Sequence, residues 1–169
     1  MNSPITGKPM KIQSEVQKLN FRKEEFQVKQ RFYLCEESGE RFTTTRLDEL
    51  NLELVYNLFR AKHRIPTPEE IKETREKYGI SAIKMSDILG FGQNSYGLYE
   101  RGEIPSLSNA KLLKLASDLD SFYQLVRDWE TNEWKQKENL LHKIERLIKE
   151  EKQGFDYLEH YLNMELSMS

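Results

Sequence analysis

The chain has almost no cysteine and no long apolar run. Its 169 residues contain one cysteine, Cys35, which excludes a framework of disulfides within the chain. No stretch approaches the roughly 18 apolar residues that a membrane-spanning helix needs. The first residues, MNSPITGKPMK, lack the apolar segment of a secretory signal. We therefore expect a cytoplasmic protein that does not contact a membrane.

The sequence also lacks the common motifs of catalysis. The three histidines, His63, His142 and His160, lie far apart along the chain. There is no phosphate-binding loop, no nucleophilic serine motif and no paired-carboxylate motif. We therefore expect neither enzymatic activity nor a cofactor.

The charge of the chain does not by itself indicate a nucleic-acid partner. The net charge is −2, and residues 66–119 contain seven Lys or Arg against eight Asp or Glu. Residues 120–169 are more acidic, with seven against eleven. Bulk attraction to phosphate is therefore not the main source of any affinity for DNA, and a few well-placed donors must matter more.

The first part of the chain has the alternation of a small antiparallel sheet. Phe26, Val28, Phe32 and Leu34 alternate with polar residues, which is typical of a half-buried strand. The partner strand is predicted from four apolar residues on the other side of the RKEE turn: Ile12, Val16, Leu19 and Phe21.

The remainder of the chain has the apolar spacing of helices. A helix from Asp48 to about His63 would bury one apolar face, formed by Leu50, Leu54, Val55, Leu58 and Phe59. Pro66 and Pro68 interrupt it, and four short helices are predicted over 68–119. The tail from Phe122 is predicted to be helical, with a break at Gly154. Its apolar spacing resembles the seam of a short coiled coil, formed by Trp134, Leu141, Ile144 and Ile148.

These patterns predict an α+β protein of three parts. Residues 1–65 would form a small antiparallel β domain with a linking helix. Residues 66–120 would form an all-α domain, and residues 121–169 a helical tail for self-association or partner binding.

The segment ISAIKMSDILGFGQNSYGLYERGEIPS is typical of a helix-turn-helix. The spacing predicts a first helix that buries Met85, Ile88 and Leu89, a turn at Gly90 and a close crossing at the small Ser86. The second helix would turn its tyrosines inward and expose a set of residues toward a major groove. That set consists of Gln93, Asn94, Ser95 and Leu98.

The residues LGFGQNSYGLYERGEIPS resemble the XRE-type helix-turn-helix of phage repressors and antitoxins. The longer pattern YNLFRAKHRIPTPEEIKETREKYGIS is similar to the MqsA/YgiT-type antitoxin family, and this resemblance covers residues 1 to about 119. It implies a dimer that binds double-stranded operator DNA and neutralises a toxin encoded beside it.

The resemblance also implies roles for single residues. Asn94 occupies the position of a base-reading asparagine, whose amide can pair with N6 and N7 of adenine. Leu98 stands where the family has an arginine, so the base preference must differ. Gln93 and Ser95 are neighbouring candidates for contacts to bases or phosphate, and Arg101 is a candidate for a phosphate contact. The alternative is that Asn94 only caps its helix.

The family's amino-terminal domain binds zinc through two Cys-x-x-Cys pairs. The corresponding positions here are Ser3, Thr6, Cys35 and Ser38, and hydroxyls do not ionise to replace thiolates near neutral pH. We therefore predict no structural zinc, and a hydrogen-bonded cluster of these hydroxyls in its place. The alternative is a small sheet held only by packing against the 48–63 helix, with Cys35 as a buried small residue.

The sequence thus predicts a DNA-binding transcriptional regulator, an antitoxin that represses its own operon as a homodimer. The competing hypothesis is a protein-interaction adaptor, a toxin-masking protein or scaffold whose helix-turn-helix no longer reads DNA. Leu98 and the acidic balance of the middle segment keep that hypothesis open.

Overall fold

The computed structural model describes the backbone of residues 1–167 and the side chains of residues 1–158. The chain forms two compact units, unit 1 (Met1–Arg64) and unit 2 (Ile65–Ser169). The elements of unit 1 are β1 (Lys11–Phe21), β2 (Glu24–Leu34), β3 (Arg41–Phe42) and α1 (Thr45–His63). Those of unit 2 are α2 (Pro68–Tyr78), α3 (Ala82–Ile88), α4 (Ser95–Glu100), α5 (Leu107–Ser117), α6 (Leu119–Asp128) and α7 (Trp134–Ser167). The predicted α+β class, with a small antiparallel sheet followed by helices, is confirmed.

Unit 1 is a three-stranded antiparallel sheet in the order β1-β2-β3. The predicted alternation on β2 is confirmed, because Phe26, Val28 and Phe32 are buried. Leu19 lies opposite Phe26 and therefore shares that buried face. Val16 lies opposite Lys29 on the other face, where 62% of its surface is exposed.

Helix α1 covers the sheet with a row of residues that matches the predicted face only in part. Its buried residues are Leu47, Asn51, Val55, Phe59 and Arg60. The predicted face is confirmed for Val55 and Phe59 and was wrong for Leu58, which is 41% exposed. The reason is that a polar side chain occupies the centre of the buried row. The amide of Asn51 accepts a hydrogen bond from Arg31 N and donates one to Arg31 O, both 2.9 Å. It thereby satisfies backbone groups of β2 that would otherwise need another strand.

The first helix of unit 2 begins at Pro68, the start of the predicted helical segment. Thr67 and Glu70 form a capping box at its start, with Pro68 as its first residue. It ends at Gly79, which has the left-handed φ of +67°. In α5, Leu115 is 44% exposed.

The core of unit 2 extends well beyond α5. Side chains of α6 and α7 belong to it, among them Phe122, Val126, Leu140 and Ile144. The Phe122 ring stacks on Tyr78 with a centroid distance of 4.0 Å. The assignment of residues 66–120 and 121–169 to separate functional domains stays a prediction.

Helix α7 continues through Gly154, so the predicted break there was wrong. A glycine costs a helix only about 1 kcal/mol, and the residues before it are good helix formers. Of the predicted seam, Ile144 is buried, Leu141 and Ile148 are half-buried, and Trp134 is 69% exposed. The side chain of His160 lies outside the described residues. None of the described helices combines the length and apolar character that crossing a bilayer requires.

Candidate nucleic-acid interface

Helices α3 and α4 are joined by a short turn at Gly90. Ser81 caps α3, and Met85, Ile88 and Leu89 are buried as predicted. Gly90 has a φ of +67°, and a Cβ placed there would meet no atom within 4 Å. Glycine is therefore required at this position by the backbone conformation and not by lack of space.

Two buried tyrosines attach α4 to the rest of unit 2. The Tyr96 hydroxyl donates to Ile71 O in α2 at 2.7 Å. The Tyr99 hydroxyl accepts from Asn109 Nδ2 in α5 at 2.8 Å. Burial raises the pKa of Tyr96, so its hydroxyl stays protonated as a donor. The prediction that both tyrosines turn inward is confirmed.

A serine of α3 caps α4. The fully buried Ser86 hydroxyl accepts a hydrogen bond from Tyr96 N, the second amide of α4, at 3.0 Å. Amides in the first turn of a helix have no partner within the helix, and a local side chain usually provides one. Asn94, the N-cap residue here, makes no such side-chain bond. The alternative that Asn94 acts only as a side-chain cap is therefore wrong.

The candidate DNA-contacting side chains are exposed around α4. Gln93, Asn94, Leu98 and Arg101 are exposed, and Ser95 is half-buried. Ser95 and Leu98 are three residues apart on a helix and so lie on one side of it. A Cβ at Gly97 would lie 3.5 Å from Arg101 Nη1, so the guanidinium folds back along the helix.

Charges are almost absent from this surface. Residues 91–99 contain no charged residue, and Arg101 is the single Lys or Arg between 85 and 110. Glu100 pairs with Arg75 at 2.6 Å, with both side chains largely buried, and this hydrogen bond raises the pKa of Arg75. Lys84 on α3 pairs with Glu133 and lies 5.1 Å from the centre of the Trp129 ring. Both ion pairs therefore neutralise charges that flank the interface.

The segment after α6 holds α3 in place, which the sequence reasoning missed. Trp129 Nε1 donates to Asp87 Oδ2 at 3.1 Å, beside the pair formed by Lys84 and Glu133. Trp129 is the cap residue that follows the amphipathic helix α6, and this local position does not indicate a partner 42 residues away.

In unit 1, the structure brings together the four positions that correspond to the family's zinc ligands, which are Ser3, Thr6, Cys35 and Ser38. Two loops close by hydrogen bonds from Gly7 N to Ser3 O, 2.9 Å, and from Gly39 N to Cys35 O, 2.8 Å. Thr6 Oγ1 lies 3.5 Å from the buried Cys35 Sγ. Hydrogen bonds from the hydroxyls of Ser3, Ser38 and Thr6 lower the pKa of Cys35 to about 6.

This cluster does not fit structural zinc. A tetrahedral zinc site needs four thiolate or imidazole ligands, and the cluster offers one thiol and three hydroxyls. Among the described residues, no group of three or more His, Cys, Asp or Glu is arranged to hold a metal ion. The chemistry of these four side chains therefore argues against a structural zinc ion at this cluster.

The comparison with known families agrees with the geometry of unit 2. A helix-turn-helix family model matches residues 71–121, from α2 into the start of α6. This segment is an XRE-type helix-turn-helix, a module of DNA-binding regulators. No curated protein matches the chain.

Proposed function

We propose that the chain is a transcriptional repressor that reads a pseudo-palindromic operator through α4 as a homodimer. We further propose that it is the antitoxin of a type II toxin–antitoxin system and represses its own operon. One observation carries the proposal: the Asn94 amide is exposed and unused as a cap, because Ser86 caps α4 from the neighbouring helix.

This arrangement supports base recognition by Asn94. An asparagine amide has a donor and an acceptor that match N6 and N7 of adenine in the major groove. The amino-terminal residues of a recognition helix are the ones that contact base edges. Asn94 lies at that end of α4, next to the exposed Gln93.

The size of the reading surface supports a dimer. Helix α4 has six residues and can touch only a few base pairs. Helix-turn-helix proteins reach useful specificity by placing two such helices one turn of DNA apart, about 34 Å. The slight excess of Asp and Glu over Lys and Arg in residues 66–119 adds to this need, because each module gains little from phosphate attraction.

The antitoxin role is supported by the resemblance of residues 1 to about 119 to MqsA/YgiT-type antitoxins. In this proposal unit 1 or the tail masks the toxin, while unit 2 binds the operator. A toxin in the adjacent reading frame should arrest growth when expressed alone and should lose its toxicity when this chain is co-expressed.

A gel-shift assay tests the operator proposal. The wild-type protein should shift the DNA upstream of its own reading frame, and Asn94→Ala should weaken binding by about 1–3 kcal/mol. The control is Asn132→Ala, which removes an exposed asparagine between α6 and α7. Both variants should melt like the wild type. Absence of a shift at moderate salt would contradict the proposal and favour an adaptor.

A further inference from the structure

The exposed surface formed by Gln93, Asn94 and Leu98 at α4 contains no charged side chain. Its exposed side chains at the amino-terminal end are two amides, Gln93 and Asn94, and one turn later the apolar Leu98, which is 38% exposed. Charged residues are absent throughout 91–99.

The two amides and the leucine of this surface match A·T base pairs better than G·C base pairs. Guanine is read mostly by Arg or Lys through O6 and N7, whereas Asn and Gln pair with adenine. Thymine presents a C5-methyl group, which apolar side chains contact. Amides beside an exposed leucine therefore suit adenine and thymine.

The neighbouring cations do not change this assignment. The backbone of Arg101 lies at the carboxyl end of α4, about 10 Å along the axis from Asn94. Its guanidinium folds back beside Gly97, a residue that faces Ala82 of α3. Lys84 is held by Glu133 against the Trp129 ring. These positions suit a phosphate contact for Arg101 and a structural role for Lys84.

We propose that Gln93, Asn94 and Leu98 read A·T base pairs, with Leu98 contacting the methyl group of a thymine. The DNA bound by this chain is then a duplex whose directly contacted half-site positions are A·T. The inference rests on the proposed function, because it requires that α4 enters the major groove.

The first experiment is selection from a random 30-base-pair duplex library by the wild-type protein. We expect A·T pairs at the most constrained positions of each half-site. Leu98→Arg should shift the selection toward guanine at one position, because arginine pairs with O6 and N7. Arg101→Ala should weaken binding to all sequences and leave the preference unchanged.

The second experiment removes single thymine methyl groups by replacing thymine with deoxyuridine in the selected duplex. At one position, wild-type binding should fall by about fourfold, the effect of burying one methyl-sized group. Leu98→Ala should bind the thymine duplex more weakly and lose nothing further with deoxyuridine. Leu115→Ala, which removes an exposed leucine of α5, should keep the wild-type sensitivity.

The outcomes separate this inference from the proposed function. Enriched half-sites with G·C at the constrained positions would overturn the A·T assignment and leave DNA binding intact. Deoxyuridine substitution without effect at every thymine would overturn the role of Leu98. A library with no enriched sequence would overturn the proposed function, and with it this inference.

Discussion

Both units use side-chain hydroxyls to fix the local backbone, but the surroundings of these hydroxyls differ. In unit 1, the hydroxyls of Ser3, Thr6 and Ser38 surround one thiol, and the loop shapes come from backbone hydrogen bonds. In unit 2, a single hydroxyl, that of Ser86, is fully buried in an apolar core and sets the start of α4. In unit 1 Ser3 is buried but Ser38 is exposed. An exposed hydroxyl such as that of Ser38 can exchange its partner for a water molecule, whereas a buried one cannot. The two units should therefore respond very differently to small changes.

The largest effect is expected from restoring metal ligands in unit 1. Ser3→Cys, Thr6→Cys and Ser38→Cys together would surround zinc with four thiolates, because the two loops already bring these positions together. Zinc binding to such sites contributes on the order of 10 kcal/mol. Calorimetry should show one tight zinc per triple variant and a zinc-dependent rise in the melting temperature. Stoichiometric tight zinc binding by the wild type would contradict the conclusion that its one thiol and three hydroxyls do not fit structural zinc.

The next largest effect is expected in the core that α6 and α7 complete. Phe122→Ala removes a fully buried ring stacked on Tyr78 and should lower the free energy of unfolding by about 3–5 kcal/mol. Phe155→Ala removes a ring that is 69% exposed and should change it by less than about 0.5 kcal/mol. Denaturant unfolding measures both. Equal effects would mean that α6 is not part of the cooperative core.

A smaller effect is expected from the hydroxyl that caps α4. Ser86→Ala leaves Tyr96 N buried without its partner and should cost about 1–3 kcal/mol of stability. It should also weaken operator binding, although Ser86 cannot touch DNA. Ser108→Ala removes an exposed hydroxyl of α5 and serves as the control. Wild-type stability and binding in Ser86→Ala would refute the capping role.

The smallest effect concerns the Cys35 thiol. The hydroxyl hydrogen bonds lower its pKa to about 6, against about 8.5 in an unfolded chain. Folding therefore favours the thiolate, and the stability of the wild type relative to Cys35→Ser should increase as pH rises from 6 to 9. This contribution is lost as pH falls through 6.

Thiolate absorbance at 240 nm measures the Cys35 titration directly. Ser38→Ala should move the midpoint upward, because one of the hydrogen bonds to the thiolate disappears. Ser108→Ala, in the other unit, should leave it unchanged. A wild-type midpoint near 8.5 would contradict the hydroxyl cluster.

Local signals in the sequence indicate several helix boundaries of unit 2, although the break predicted at Gly154 was wrong. The capping box of Thr67 and Glu70 and the left-handed glycines at 79 and 90 act within a few residues, so they can be recognised without the fold. The alternation on β2 is equally local, because it follows from the period of two in a strand.

Features that depend on distant partners were not predictable. Asn51 occupies an apolar row because its amide meets the backbone of Arg31, twenty residues away. Ser86 was expected only to allow a close crossing, and its bond to Tyr96 N requires the position of the next helix. Trp129 meets Asp87 across 42 residues, and no local pattern indicates that pairing.

The attachment of α4 has a thermodynamic consequence. Hydrogen bonds to α2, α3 and α5 hold this helix before any DNA is present. The backbone of α4 therefore loses little conformational entropy on binding DNA, and the free energy of the base contacts does not have to offset the ordering of this helix. The heat-capacity change of binding should then follow the area buried between protein and DNA, without the excess that accompanies coupled folding.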